Sequence, residues 1–227
     1  LDSFFNGQGT IISGPFAPGS WAYNLDVQPL PFDPEKAKAL LKEAGFAPGP
    51  DGFMQKDGKK LLLTLKVPIE KESEAVKRVV LAFKNYLKNV GVDIKVEFKE
   101  WQAWKEDIFL EHDFDVIFAS WVFDDSADIS SLFHSAEIGP WKNNFGGYSN
   151  PEVDGLIVES KLTLDHEKKR TINRKLHAFL GEENPYTFLW TLTNYAGYHK
   201  KVRRVAIHPY KFFSFADEWF IPEGDQK

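Results

Sequence analysis

Between residues 61 and 121 the hydrophobic positions alternate between strand and helix periods. The run "LLLTLKV" at 61–67 has strand composition, and Val76, Val79, Val80, Phe83 and Leu87 then recur at helical spacing up to a stop at Gly91. Val92, Ile94, Val96 and Phe98 alternate with Asp93, Lys95 and Glu97, the period-2 pattern of a strand with one buried face. A short helix over 101–111 leads to "DFDVIFASW", an apolar run of the kind found in central strands. Strand, helix, strand, helix, strand in this order calls for right-handed crossovers. The predicted fold class is therefore α/β, with a mixed, largely parallel sheet flanked by helices.

The flanks are read from their breakers and caps. Residues 1–32 are rich in Gly and Pro and keep neither period, so they are predicted to cross irregularly. In "FDPEKAKALLKEAGF" Asp33 can cap and Pro34 fits the first helical position. Ala37, Leu40, Leu41 and Ala44 share a face, and Gly45 can take a left-handed stop. "APGPDGFMQKDGKK" is turn-like. Asn150 and Pro151 start a further helix, and "DHEKKRTINRKLHAFLGEENP" supplies a longer one carrying Ile172, Leu176, Phe179 and Leu180. "YTFLWTL" and "NYAGYH" are β-rich, and the tail "VRRVAIHPYKFFSFADEWF" is strand-like but irregular.

Composition narrows the class. With 227 residues, 43% of them hydrophobic, the chain can bury a core as one large domain or two small ones. A net charge of -5 leaves no basic surplus for nucleic acid, which is excluded as a partner. The run at 61–67 falls far short of the roughly 20 residues that a membrane helix needs, and Lys66 interrupts it. Zero cysteines exclude disulfides, thiolate metal sites and thiol nucleophiles, a composition that suits the bacterial envelope. The opening "LDSFFNGQG" has no basic or apolar signal region, so an export signal is not expected within this sequence.

The candidate chemistry lies in "SWVFDDSADISSLFHS", where Asp124, Asp125 and Asp128 stand among Trp121, Phe123 and other apolar residues, directly after the third predicted strand. Open α/β sheets present ligands at strand carboxyl ends. Asp124, Ser126 and Asp128 alternate as in a calcium loop, but Ile129 replaces the turn glycine and Ser135 the bidentate glutamate. Two readings stay open: a solvated acidic turn, or an anchor for a cationic group held by charge and by aromatic faces. The six histidines are scattered and no HExxH, P-loop, G-x-G-x-x-G or G-x-S-x-G occurs, so neither a metal site nor a catalytic group is expected. An aromatic cluster over 101–148, including Trp101, Trp104, Trp141, Phe145 and Tyr148, fits a core or a cleft wall.

"GPFAPGSWAYN", "FDPEKAKALLKEAGF", "FDVIFASWVFDD", "GGYSNPEVDGLI" and "ENPYTFLW", in this order, resemble the extracellular solute-binding proteins of family 5, the oligopeptide-, dipeptide- and nickel-binding receptors of ABC importers. The resemblance runs from about residue 4 to about 205 and matches the carboxyl-terminal half of such receptors. It implies a lobe of the type II periplasmic-binding-protein fold, without enzymatic activity or cofactor, in the periplasm or outside the cell, with a lipoprotein form allowed. Residues 1–32 would be the crossing segment, 33–199 the ligand-binding lobe and 200–227 a return towards a missing amino-terminal lobe. The ligand would be a peptide or other small solute held in the cleft between lobes, and the permease subunits of the importer would be partners. In the peptide binders an aspartate three residues after a tryptophan pairs with the peptide amino terminus. Here that position is Asp124, with Trp121, Phe123, Asp125 and Asp128 as further ligand-binding candidates. Asp125 stands where the usual residue is tyrosine, and Asp128-Ile129 replaces the usual Asp-Pro, which widens the solute class to other amine-bearing polar molecules. The alternatives from other classes are an envelope hydrolase, or an interaction or signalling module on the same fold.

Overall fold

The computed structural model describes residues 2–69, 74–122, 124–208 and 211–225. In chain order it holds α1 (Asp2–Phe5), β1 (Gly9–Ile11), α2 (Pro34–Glu43), β2 (Ala47–Pro48), β3 (Met54–Lys56), β4 (Lys59–Lys60), β5 (Leu62–Pro68) and α3 (Glu74–Asn89). β6 (Asp93–Lys99), α4 (Trp101–Lys105), β7 (Val116–Ile117), α5 (Ser130–Phe133), α6 (Pro151–Leu162), α7 (His166–Glu183) and β8 (Trp190–Leu192) follow.

β6, β5 and β7 form a parallel sheet in that spatial order, with Leu65 opposite Val96 on one side and Val116 on the other. β5 is the central strand, and its Leu65, Lys66 and Val67 are all buried. The run at 114–121, predicted to be central, instead pairs over only two residues and lies at the edge of the described sheet. Helix α3 lays Val76, Val80, Phe83 and Leu87 on this sheet at the spacing expected of one helical face. Burial of Leu65 and Val67 stabilises this layer by about 1.5–3 kcal/mol each.

The capping predictions hold. Asp33 accepts from the Lys36 amide at 2.9 Å with Pro34 opening α2, and Asn150 accepts from the Glu152 amide at 2.9 Å with Pro151 opening α6. Gly91 takes φ 86°, and a side chain there would meet Met54 Cγ at 2.9 Å, so the stop after α3 requires glycine on two counts. The helix predicted over 101–111 is α-helical only to Lys105 and continues as a π-helical turn over Glu106–Glu111. The stretch read as turn-like forms β2, β3 and β4, a small antiparallel sheet.

A second core lies between α6, α7 and the loops around them. Phe16, Ala22 and Tyr23, from the segment predicted to be irregular, are buried there with Phe133, Leu156, Leu176 and Leu180. That segment also supplies β1, which pairs antiparallel with β8. The buried stripe of α7 runs Asn173, Leu176, His177, Leu180, so two polar side chains sit at its centre. Among the described residues, 194–199 form no strand, and the tail contributes a single bridge, Arg203 with Phe220.

Candidate functional site

β7 ends at Ile117, and four residues later Trp121 comes to rest between two cores. Its indole stacks on Phe145 with ring centroids 6.0 Å apart and planes 18° apart, and Phe145 stacks on Tyr186 at 6.4 Å and 10°. The Tyr186 hydroxyl is buried without a partner among the described residues, and burial raises its pKa. The backbone leaving Trp121 is thus fixed by an aromatic stack, while Val122 is fully exposed at 99%. Phe123 lies outside the described residues.

Asp124 is exposed, and its Oδ1 accepts from the Ser126 amide at 2.8 Å. Ser126, through its hydroxyl and its amide, holds the carboxyl below the ordinary aspartate range, and the nearby Lys211 ammonium acts in the same direction. The group is therefore ionised near neutral pH, with Ser126 as its hydrogen-bond partner and Lys211 as the nearby opposite charge. Asp125 is also exposed; its carboxylate stands 3.3 Å from Lys211 Nζ and its carbonyl accepts from Trp21 Nε1 at 3.0 Å.

Asp128 has partners of its own. Its Oδ1 accepts from the Ser130 amide at 2.9 Å and its Oδ2 meets Lys161 Nζ of α6 at 3.1 Å. Burial pushes its pKa up, but Ser130 and Lys161 outweigh this and the net shift is downward. The structure thus brings Asp124 and Asp125 near the same lysine, Lys211, packs the Trp121 ring against Phe145 instead, and commits Asp128 to holding the loop on α6. Among the described residues the three aspartates do not form a group that could hold a metal ion.

Sequence reasoning missed three contributors. Ser126 is readable from the D-x-S spacing of an Asx turn. Trp21 and Lys211 reach the loop from 104 and 86 residues away, and no local pattern announces either. Asp124 and Trp121 do not line the hollow beside the loop, which is built from residues 126–129, α6 and α7. Asp124 is exposed and lines no hollow among the described residues.

The sequence model of the bacterial extracellular solute-binding proteins, family 5 Middle, matches residues 1–142. The oligopeptide-binding protein AppA of Bacillus subtilis (strain 168) is 28% identical over 225 residues, which cover 97% of this chain and 41% of that protein. The glutathione-binding protein GsiB of Pectobacterium atrosepticum is 28% identical over 220 residues, covering 94% of this chain and 40% of its own. The solved structure of Bacillus subtilis AppA in complex with a nonapeptide matches with a TM-score of 0.82 at 26% identity, over 98% of this chain and 44% of that one. HbpA2 from Haemophilus parasuis shares the fold, with a TM-score of 0.78 at 21% identity over 96% of this chain and 41% of its own. The chain spans about two fifths of the length of the curated relatives it matches. The α/β lobe is of the periplasmic-binding-protein type II fold.

Proposed function

The chain belongs to the bacterial extracellular solute-binding proteins of family 5, and from that membership we propose that it is the ligand-binding lobe of a receptor delivering a peptide, or another amine-bearing polar solute, to an ABC importer. The observation that carries the reading is Asp124, an exposed, ionised carboxylate oriented by Ser126, three residues beyond a tryptophan locked by stacking. Such a group is pre-organised to take an ammonium, because its own orientation is already set before the ligand arrives. Trp121 and Phe123 serve as aromatic walls, Asp125 as a secondary charge and Asp128 as the post that holds the loop.

Several relatives point to the same ligand class. Their names are an oligopeptide-binding protein, a glutathione-binding protein, di/tripeptide-binding proteins and a dipeptide-binding protein. All are binding proteins, and the proposed role is likewise binding without catalysis, outside the cytoplasmic membrane. The opposing wall of the cleft comes from a second lobe of the same protein, and the permease subunits are the partners that receive the solute. Native mass spectrometry of the full-length protein, purified without denaturation, tests the ligand class. A co-purified amine-bearing solute is expected, and a purely anionic or apolar one would overturn the reading.

A further inference from the structure

Trp21 belongs to the segment that crosses ahead of α2, and its indole is held from two sides. It packs on the second core, and its ring lies 4.9 Å, centroid to centroid, from that of His166, the first residue of α7. Asp165 caps that helix by accepting from the Lys168 amide at 2.8 Å, so the backbone carrying His166 is itself fixed. From this position Trp21 Nε1 donates to the Asp125 carbonyl at 3.0 Å, across 104 residues of chain. An indole N–H donates and cannot accept, so the contact has a single sense.

The Asp125 carbonyl is one end of the peptide unit that joins Asp125 to Ser126. The other end is the Ser126 N–H, which donates to Asp124 Oδ1 at 2.8 Å. A peptide unit is planar, and in the trans form its C=O and N–H point in opposite directions. Turning the plane to release Trp21 therefore turns the N–H off the Asp124 carboxylate, and the two hydrogen bonds are made or lost together. Donation to the carbonyl also polarises the unit and strengthens its N–H as a donor. The Asp125 side chain takes no part in this, because its carboxylate faces Lys211 Nζ at 3.3 Å. Further along the loop, Lys161 of α6 meets Asp128 at 3.1 Å and the Ser130 hydroxyl at 3.0 Å. Of these two ties, only that of Trp21 acts on the peptide beside the anchor.

We propose that Trp21 is a positioning residue of the site: by gripping the peptide between residues 125 and 126 it sets the direction of the Asp124 carboxylate for the solute's ammonium. The effect on the ligand rests on the amine-anchor reading, whereas the effect on the carboxylate is a property of this chain alone.

Trp21→Phe keeps a ring on the core and removes the N–H, and two measurements on the full-length protein read the result. Hydrogen–deuterium exchange at the Ser126 amide, resolved by fragmentation mass spectrometry, is expected to be about fivefold faster than in wild type, the change appropriate to one lost hydrogen bond. Calorimetric titration of trialanine and of N-acetyl-trialanine gives a ratio of affinities that favours the free amine in wild type, and this ratio should fall about fivefold in Trp21→Phe. Tyr23→Phe controls for packing, since it removes a 2.9 Å hydrogen bond between the same segment's Tyr23 and Ser13; it should lower stability and leave both readings unchanged. Unaltered exchange at Ser126 in Trp21→Phe would overturn the proposal, as would an unaltered ratio, or changes of equal size in Tyr23→Phe. A wild type that does not favour trialanine over its acetylated form would instead count against the amine anchor, and exchange at Ser126 would then decide the positioning role by itself.

Discussion

Trp121 lies stacked on Phe145, the two rings 6.0 Å apart and nearly parallel, and this contact fixes the chain three residues before the Asp124 carboxylate. Trp121→Ala removes the stack and part of the contact with both adjoining cores. The expected cost, for a half-buried tryptophan, is about 2–4 kcal/mol of unfolding free energy in urea melts. Trp121→Phe retains a ring and should recover most of that loss, and its failure to do so would show that the indole has a role other than stacking.

Lys66 is buried at 3% exposure in the central strand and meets Asp107 and Asp113, each at 2.6 Å. Burial alone would lower its pKa, but the two carboxylates reverse this and raise it, so the lysine stays charged in the sheet. The partners are unequal, because Asp113 is 77% exposed while Asp107 is 17% exposed and also pairs with Lys99. Asp107→Asn is therefore expected to destabilise by about 2–4 kcal/mol and Asp113→Asn by less than about 1 kcal/mol. Equal losses in chemical denaturation would refute this division of the ion pair.

His177 is fully buried beneath Phe16 and Tyr23, shares a hydrogen bond with Ser13 at 2.9 Å, and is pushed down by burial to about 4. The unfolded chain binds its proton near pH 6.5 and the folded one only near pH 4, so stability is complete above about 6.5 and is lost as pH falls towards 4. The expected loss over that window is about 3 kcal/mol. Urea midpoints measured across it should slope, and the slope should flatten in His177→Gln. A midpoint that does not change with pH between 6.5 and 4 would contradict the assignment.

The parallel pairing of β5 with β6 and β7 and the two Asp/Asn-Pro helix starts were legible in the sequence, because hydrophobic period and cap chemistry are local properties. The small hairpin was readable too. Asp57 and Gly58 both take positive φ, and Asp-Gly between short strands is a strong turn signal that the surrounding Gly and Pro obscured. Other features rest on distant partners. Gly9–Ile11 becomes a strand only because Trp190–Leu192 lies beside it, and the run at 114–121 stays at an edge because the central place is taken by a strand containing Lys66. Asn173 and His177 were invisible as core positions, since their burial is made possible by Ser160 and Ser13 on other segments. At the site, Asp124 and Trp121 came from strand position and family resemblance, whereas Lys211 and the role of Asp128 required the folded chain.

Contact between Asp124 and the solute's ammonium can be read from a thermodynamic cycle on the full-length protein. Calorimetric affinities for a bound peptide and its N-acetylated form would be compared in wild type and Asp124→Asn, with Asp125→Asn as a control whose charge Lys211 already balances. In wild type, acetylation is expected to cost about 1.5–3 kcal/mol, and Asp125→Asn should change this little. In Asp124→Asn the free and acetylated peptides should bind alike. An acetylation penalty of the same size in Asp124→Asn as in wild type would contradict that contact.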